Sequence, residues 1–326
     1  MIITTASPTI IYEHPTTGST LLPHLLPHLP TSISLTRRIQ FHGRTPDSHI
    51  LASFPPETST TPKHFVAAYC DRSRAPETEV WLFTSLELEK NRTAEEHEEN
   101  IRICTEQLLS LFRYIKSLPE PPNPRDNNPQ LILVGAVHAR TLEPLKRTGI
   151  VPWHTPPNQK FVFQRHILPQ SDLPPVKPLP KGFIFGEVRR EDYPLVQSRT
   201  SITRLERTLV LLPSVAVYHQ VDGEESTGGG YTSPPVAWAF LGPDASLMSL
   251  HVEEPYRGRG MAKAVASRMF NQGMDRYAAD GIGHADVLTD NIQSIGVMKS
   301  LNGIGIEGFE VYWLHIDLAR IYNRVE

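Results

Sequence analysis

The stretch LMSLHVEEPYRGRGMAKAV, Leu247 to Val265, holds the residues best suited to chemistry by type and spacing. An apolar, strand-like run passes through Gly258 and Gly260 directly into a helical pattern. The first turn of a helix presents unpaired backbone N–H groups and the positive end of a dipole, so it attracts anions. Two glycines take side chains out of a ligand's way, and Arg257 and Arg259 add positive charge, which makes phosphate the natural guest. A surface strand-to-helix turn with two incidental arginines carries the same letters, so from these residues alone both readings stand.

Other chemically suggestive stretches count for less. GIGIEG, Gly303 to Gly308, matches the dinucleotide fingerprint in letters, but a helix precedes it and a strand follows, the reverse of what that fingerprint needs, so these read as turn glycines. His24 and His28 are four apart, yet the prolines of LPHLLPHLP disfavour the helix that would let them share a metal, and no third ligand stands out. No metal site is expected. Cys70 and Cys104 are the only cysteines, too few for a disulfide framework or a zinc ribbon, and they point to a reducing compartment. The chain has no GxSxG elbow, Walker A loop or HExxH helix, which lowers hydrolase, NTPase and metalloprotease readings.

The elements that must position the glycine junction follow from periodicity. In the first half, SISLTRRIQFHG, HILASF, HFVAAYC and EVWLFTSLE read as strands. Thr93 with Glu96 forms a capping-box pattern, and Ile101, Cys104, Leu108, Leu111 and Ile115 then recur at helical spacing to about Leu118. A buried-type strand QLILVGAV, a short helix from Leu142 to Arg147 and a strand KFVFQRHI close that half. In the second half, the strand GFIFGEV leads to two helical stretches, REDYPLVQSRT and TRLERTLVLL. The strands SVAVYHQ and PVAWAFL then flank a glycine-rich DGEESTGGGYTSP expected to be a mobile hairpin loop. After the glycine junction come a helix from about Arg259 to Ala279, a strand HADVLTD, a helix NIQSIGVMKSL led by Asp290 and Asn291, and a last strand FEVYWLHI. Strand, helix, strand, helix, strand requires at least one parallel pair, with room for a ligand at its carboxyl ends.

With 326 residues, the chain is long enough for two ordinary domains. Thirty prolines are many for this length, and LPQSDLPPVKPLPKG, Leu168 to Gly182, reads as a stiff connector. We place a first domain at 1–170, a proline-rich linker at 171–181 and a second domain at 182–326. The net charge of -3 and the absence of basic blocks argue against nucleic acid or an acidic membrane surface as the main partner. No apolar run is long enough to span a bilayer and the amino terminus lacks signal-peptide order, so a soluble, cytoplasmic protein is expected, with a mitochondrial location left open and the sequon at Asn91 unused.

The second half resembles the GNAT superfamily of acyl-CoA N-acyltransferases. The order of elements agrees from about residue 182 to 318, and the family's pyrophosphate loop is matched by Arg257, Gly260 and Ala262, with Val252 five residues before the arginine. DNIQSIGVMKSLNGIG is similar to the family's asparagine-led helix that lies against the cofactor. In the first half, LLPHLPTSISLTRRIQFHG is similar to the amino-terminal half of glycine N-acyltransferase-like proteins, a branch that opens with a degenerate GNAT-like domain.

This resemblance implies a mixed α/β (α+β) chain of tandem GNAT-like domains, each a mostly antiparallel twisted sheet with a parallel, splayed pair flanked by helices. It implies acetyl-CoA or another acyl-CoA as co-substrate, no metal, and an amine acceptor that is an amino acid, another small amine or a protein amino terminus. The backbone of Gly258, Arg259, Gly260, Met261 and Ala262, beside Arg257, would cradle the pyrophosphate. The exposed edge of the 247–252 strand would pair with pantetheine, a backbone N–H near Leu250 or Val252 would stabilise the oxyanion, and Asn291 and Ser294 would complete the cofactor site. The family's usual carboxylate base falls on Ser246, and its usual thiolate-protonating tyrosine falls on Met298, so both proton-transfer residues are missing. Asp244 and His251 are the substitute candidates, with Glu253 and Glu254 behind them. Strict strand alternation places His251 on the face opposite Ser246 unless a bulge intervenes. Their absence equally fits an acyl-CoA binder without turnover.

Overall fold

The computed structural model describes residues 9–90, 92–152, 162–220 and 233–321. The sequon at Asn91, most of the glycine-rich stretch between Asp222 and Pro234, and the first two residues of KFVFQRHI lie outside the described residues. The chain divides into two compact units. One comprises residues 1–40, 44–162 and 309–326, and the other residues 41–43 and 163–308.

The first unit contains β1 (Tyr12–His14), β2 (Ser48–Ala52), β3 (Val66–Asp71), β4 (Val80–Thr84) and β5 (Leu131–His138), with α1 (Leu22–Leu25), α2 (Ile33–Gln40), α3 (Ala94–Ser117) and α4 (Ala139–Arg147). Strands β1 to β4 pair antiparallel in sequence order, and β4 pairs with β5 in parallel, Val80 opposite Val134 and Trp81 opposite Gly135. Alternation sorts the two faces. Val66, Ala68, Val80 and Leu82 pack under the apolar stripe of α3, Ile101, Cys104, Leu108, Leu111 and Ile115. Ala67, Tyr69, Trp81 and Phe83 face Leu21, Leu25, Leu35 and Ile39 on the other side.

SISLTRRIQFHG, expected as a strand, is helical over Ile33–Gln40. Its β-branched residues mislead, because Leu35 and Ile39, one helical turn apart, both enter the core. Arg38 follows them inside, with its guanidinium 3.7 Å from the centre of the Tyr69 ring.

The second unit contains β6 (Val162–Pro169, from Phe163 on), β7 (Phe183–Gly186), β8 (Ser214–His219), β9 (Ala237–Leu241), β10 (Leu247–Val252) and β11 (Ile282–Leu288), with α5 (Tyr193–Ser198), α6 (Glu206–Leu209), α7 (Met261–Gly273) and α8 (Ile292–Ser300). Strands β7 to β10 form an antiparallel ladder in the order β10-β9-β8-β7, while β11 pairs antiparallel with β6. The stretch TRLERTLVLL, expected as a longer helix, is reduced to the single turn of α6.

A last strand, β12 (Ile304–Asp317), is divided between the two units, residues 304–308 in the second and 309–317 in the first. It enters the first one at Phe309 and pairs antiparallel with β5, Val311 opposite His138 through Asp317 opposite Leu131. The compact units therefore differ from a cut at the proline-rich connector. Residues 163–169 belong with β11, residues 309–317 belong with β5, and the connector itself is tied within the second unit by Ser267 Oγ donating to the Pro174 carbonyl at 3.0 Å. Among the described residues, no helix is long and apolar enough to cross a membrane.

Candidate active site

After β10, Glu254–Tyr256 forms a single 3-10 turn, and Gly258 and Gly260 then take positive φ, 75° and 78°. An L-residue would lose about 1–2 kcal/mol at each. A Cβ built on either would meet nothing within 4 Å, so backbone conformation and not crowding calls for glycine, and the space before them is open. Gly260 is the N-cap of α7 and accepts from the Ala264 amide at 3.0 Å. The amides of Met261, Ala262 and Lys263 then have no carbonyl four residues back inside the helix. No acidic residue sits in that turn, and Met261 is buried, anchoring the helix start so that only its backbone is available. Arg257 Nε donates to the Val252 carbonyl at 3.1 Å, tying the loop to the strand end, and the Arg259 guanidinium lies 5.7 Å from the Tyr256 ring centre. This is a ready anion cradle.

Strand β10 leads to the cradle and is the edge of its ladder. Just before it, Ser246 forms a parallel bridge with His284 of β11. The Glu253 amide donates to the Val236 carbonyl on the β9 side at 2.9 Å, so alternation turns the Val252 amide toward the other edge. That donor is presented beside the place where β10 and β11 part.

Between Met248 and His251 the β10–β9 register slips, and Ser249 takes φ 52°. Met248 lies opposite Phe240 and His251 opposite Trp238, two residues apart on β9, so Met248 and His251 share a face, and Ser246 with them. The expectation from strict alternation is thus overturned by a β-bulge. His251 stacks on Trp238, with centroids 4.8 Å apart and planes at 26°, and its Nε2 is 3.8 Å from Glu253 Oε2. Glu253 also takes Arg199 Nε at 2.9 Å. Burial lowers the His251 pKa below 6.5 against the raising influence of Glu253, which leaves the imidazole neutral at pH 7.

Asp244 stands in the β9–β10 turn and is buried. One carboxylate oxygen accepts from Ser246 Oγ at 2.6 Å and from the Ser246 amide at 3.2 Å. The serine that stands where a carboxylate base was expected is therefore hydrogen-bonded to a carboxylate two residues away.

The sequence reading missed three residues on β11 and β6. A Cβ on Gly283 would run into Phe270 of α7 at 2.6 Å, so Gly283, Ala285 and Val287 face α7 while His284 and Asp286 face the other way. Asp286 accepts from Arg165 Nε and Nη2 at 2.8 and 2.7 Å, and both side chains are almost wholly buried. Burial pushes the Asp286 carboxyl upward, Arg165 opposes the shift, and the charge of Asp244 adds to it. The polar alternation of HADVL was the available signal for His284 and Asp286. Arg165, distant in the chain, gave none.

Asn291 caps α8, its Oδ1 accepting from the Ser294 amide at 3.0 Å, as the residue types suggested. Met298 is buried in the core and has no proton to give. His24 spends both ring nitrogens on Thr61 Oγ1 and the Thr58 carbonyl. Among the described residues, no group of three His, Cys, Asp or Glu side chains is placed to hold a metal. After Gly303 the chain enters β12, so GIGIEG opens no helix.

Residues 7–169, half of the chain, match the family model described as the acyl-CoA N-acyltransferase verG N-terminal domain. A Drosophila protein of known crystal structure superposes with a TM-score of 0.63 at 14% identity, over 95% of this chain and 99% of that one. A tandem GNAT protein from the clavulanic acid biosynthesis pathway gives a TM-score of 0.47 at 9% identity (95% and 98% covered), and a GCN5-related N-acetyltransferase from Sphaerobacter thermophilus gives 0.47 at 11% (95% of each). No curated protein sequence matches the chain.

Proposed function

Because the chain belongs to the acyl-CoA N-acyltransferase family defined by the verG N-terminal domain, we propose that its second unit binds an acyl-CoA and transfers the acetyl or other acyl group to a primary amine. The amine is small, such as an amino acid, or a protein amino terminus. The observation that carries this reading is the uncapped, glycine-built start of α7, set at the end of an edge strand.

The acyl-CoA supplies an activated carbonyl, and the chain's own residues do the rest. The amides of residues 258–262 with Arg257 would hold the pyrophosphate, and Asn291 and Ser294 would complete the cofactor site. An N–H at Leu250 or Val252 meets the negative charge that grows on the carbonyl oxygen, a contribution of roughly 3 kcal/mol. Ser246 Oγ–H already points at Asp244, so an attacking amine gives its proton to Ser246 Oγ while the serine proton moves to Asp244, and as the C–N bond forms the C–S bond breaks and the coenzyme leaves as its thiolate. His251, neutral and on the same face, is the alternative acceptor. Its ring is held by stacking on Trp238.

A second reading, an acyl-CoA binder without turnover, is favoured by the burial of Met298, which leaves the leaving thiolate no donor at that place on α8. Titration calorimetry with acetyl-CoA on the parent and on Gly260→Trp tests the cradle. Saturable binding in the parent, weakened at least tenfold in the variant, is expected, and equal binding in both would remove the site. Thiol release with amide product over an amine panel separates the enzyme from the binder.

A further inference from the structure

The first unit has a cavity of about 290 Å³ at the carboxyl end of β4, between the turn that follows this strand and one side of α3. It occupies the same place in a strand–turn–helix order as the α7 cradle does in the second unit, yet its chemistry differs. Thr93 Oγ1 accepts from the Glu96 amide at 3.2 Å and the Glu96 carboxylate accepts from the Thr93 amide at 3.1 Å, so the start of α3 is self-capped and carries negative charge from Glu95 and Glu96. A phosphate finds no cradle there.

The cavity is polar at its rim and apolar inside. Phe65, Leu86 and Ile103 supply the apolar wall. Of the fixed charges on the rim, the Glu89 carboxylate is answered by His97 Nδ1 at 3.1 Å and by the Asn100 amide. Lys63 and Arg92 also line the cavity, and among the described residues neither has a carboxylate within ion-pair distance. Glu96, which does not line the cavity, feels both cations, and its Oε2 accepts from the Thr93 amide and hydroxyl. The lining thus carries two cations, Lys63 and Arg92, against one carboxylate, Glu89. Cys104 offers no nucleophile, since burial pushes its thiol up to about 12.

We propose that this cavity binds a small carboxylic acid with an apolar body, its carboxylate on Lys63 and Arg92 and its body against Phe65, Leu86 and Ile103. The volume holds roughly ten water-sized groups, which sets the ligand's size. A carboxylic acid of that kind gains from both halves of the site, whereas inorganic phosphate gains only from the cations and a neutral alcohol only from the wall.

The test is ligand-observed NMR on the full chain with phenylacetate, benzyl alcohol and inorganic phosphate, repeated on Lys63→Ala/Arg92→Ala and on Ile103→Trp. The expected result is saturable phenylacetate binding, at least tenfold tighter than either other probe and weakened at least tenfold by each variant, with Gly260→Trp unchanged. Phenylacetate binding that survives the double alanine variant, equal binding of benzyl alcohol or phosphate, or no phenylacetate binding to the parent would each overturn the proposal. Both cations are at the surface, so the double alanine variant is expected to fold.

Discussion

Ser249 is a serine held in the left-handed region at φ 52°, a conformation that L-residues enter at a cost and glycine enters freely. The strain is spent on geometry, because this one residue moves His251 onto the face of Ser246. Ser249→Gly keeps the bulge and is expected to preserve or slightly raise the melting temperature. Ser249→Val, β-branched at positive φ, is expected to cost about 1–2 kcal/mol and to lower acyl transfer more than acyl-CoA binding. Thermal melts with calorimetry on both variants check this, and an unaffected valine variant would show that the bulge carries no strain. Glu79 makes a different kind of residue-scale prediction. Burial raises its carboxyl from 4.5 to about 7, despite the Leu133 amide and Arg125. A raised folded-state pKa contributes stability below pH 4.5 that is lost as pH rises through about 7. Glu79→Gln removes that loss, so its stability relative to the parent should grow by on the order of 1–3 kcal/mol between pH 5 and pH 8. Urea melts at the two pH values measure it, and a constant difference would contradict the sign.

At the scale of elements, α3 and α7 show why some parts were legible. The capping box at Thr93 and the stripe from Ile101 to Ile115 are local, so α3 falls where the letters place it, and Gly258 and Gly260 mark a φ requirement that only the backbone can explain. The helix α2 was misread because Ile33, Thr36 and Ile39 favour a strand locally, and only packing against Ile50 and Tyr69 decides otherwise. The β10 bulge has no signature in LMSLHV, since a register slip is a relation between two strands. For the same reason the candidate site was half legible. Its loop is contiguous in sequence, while the Asp286–Arg165 pair and the Ser246–His284 bridge join segments that only the sheet brings together.

At the scale of the molecule, the compact units do not coincide with two halves of the chain. A fragment of residues 182–326 carries β11 without β6 and includes residues 309–317 of β12 without β5. Residues 163–308 keep β11 with its partner. The shorter fragment is expected to be poorly folded by circular dichroism and amide dispersion in NMR, and 163–308 to be clearly better ordered. Equal dispersion in both would show that β6 is dispensable.

The pairing of His138 with Val311 also has a consequence in time. A ribosome adds roughly 5–20 residues each second, so β5 is made on the order of ten seconds or more before the strand that covers its edge. Throughout that interval the strand LILVGAVH, mostly buried in the finished protein, leaves a row of unpaired amides and carbonyls open to any other chain. The nascent protein is therefore most vulnerable to mispairing late in its synthesis, and a premature stop just before Phe309 would release a chain whose first sheet is left permanently unclosed.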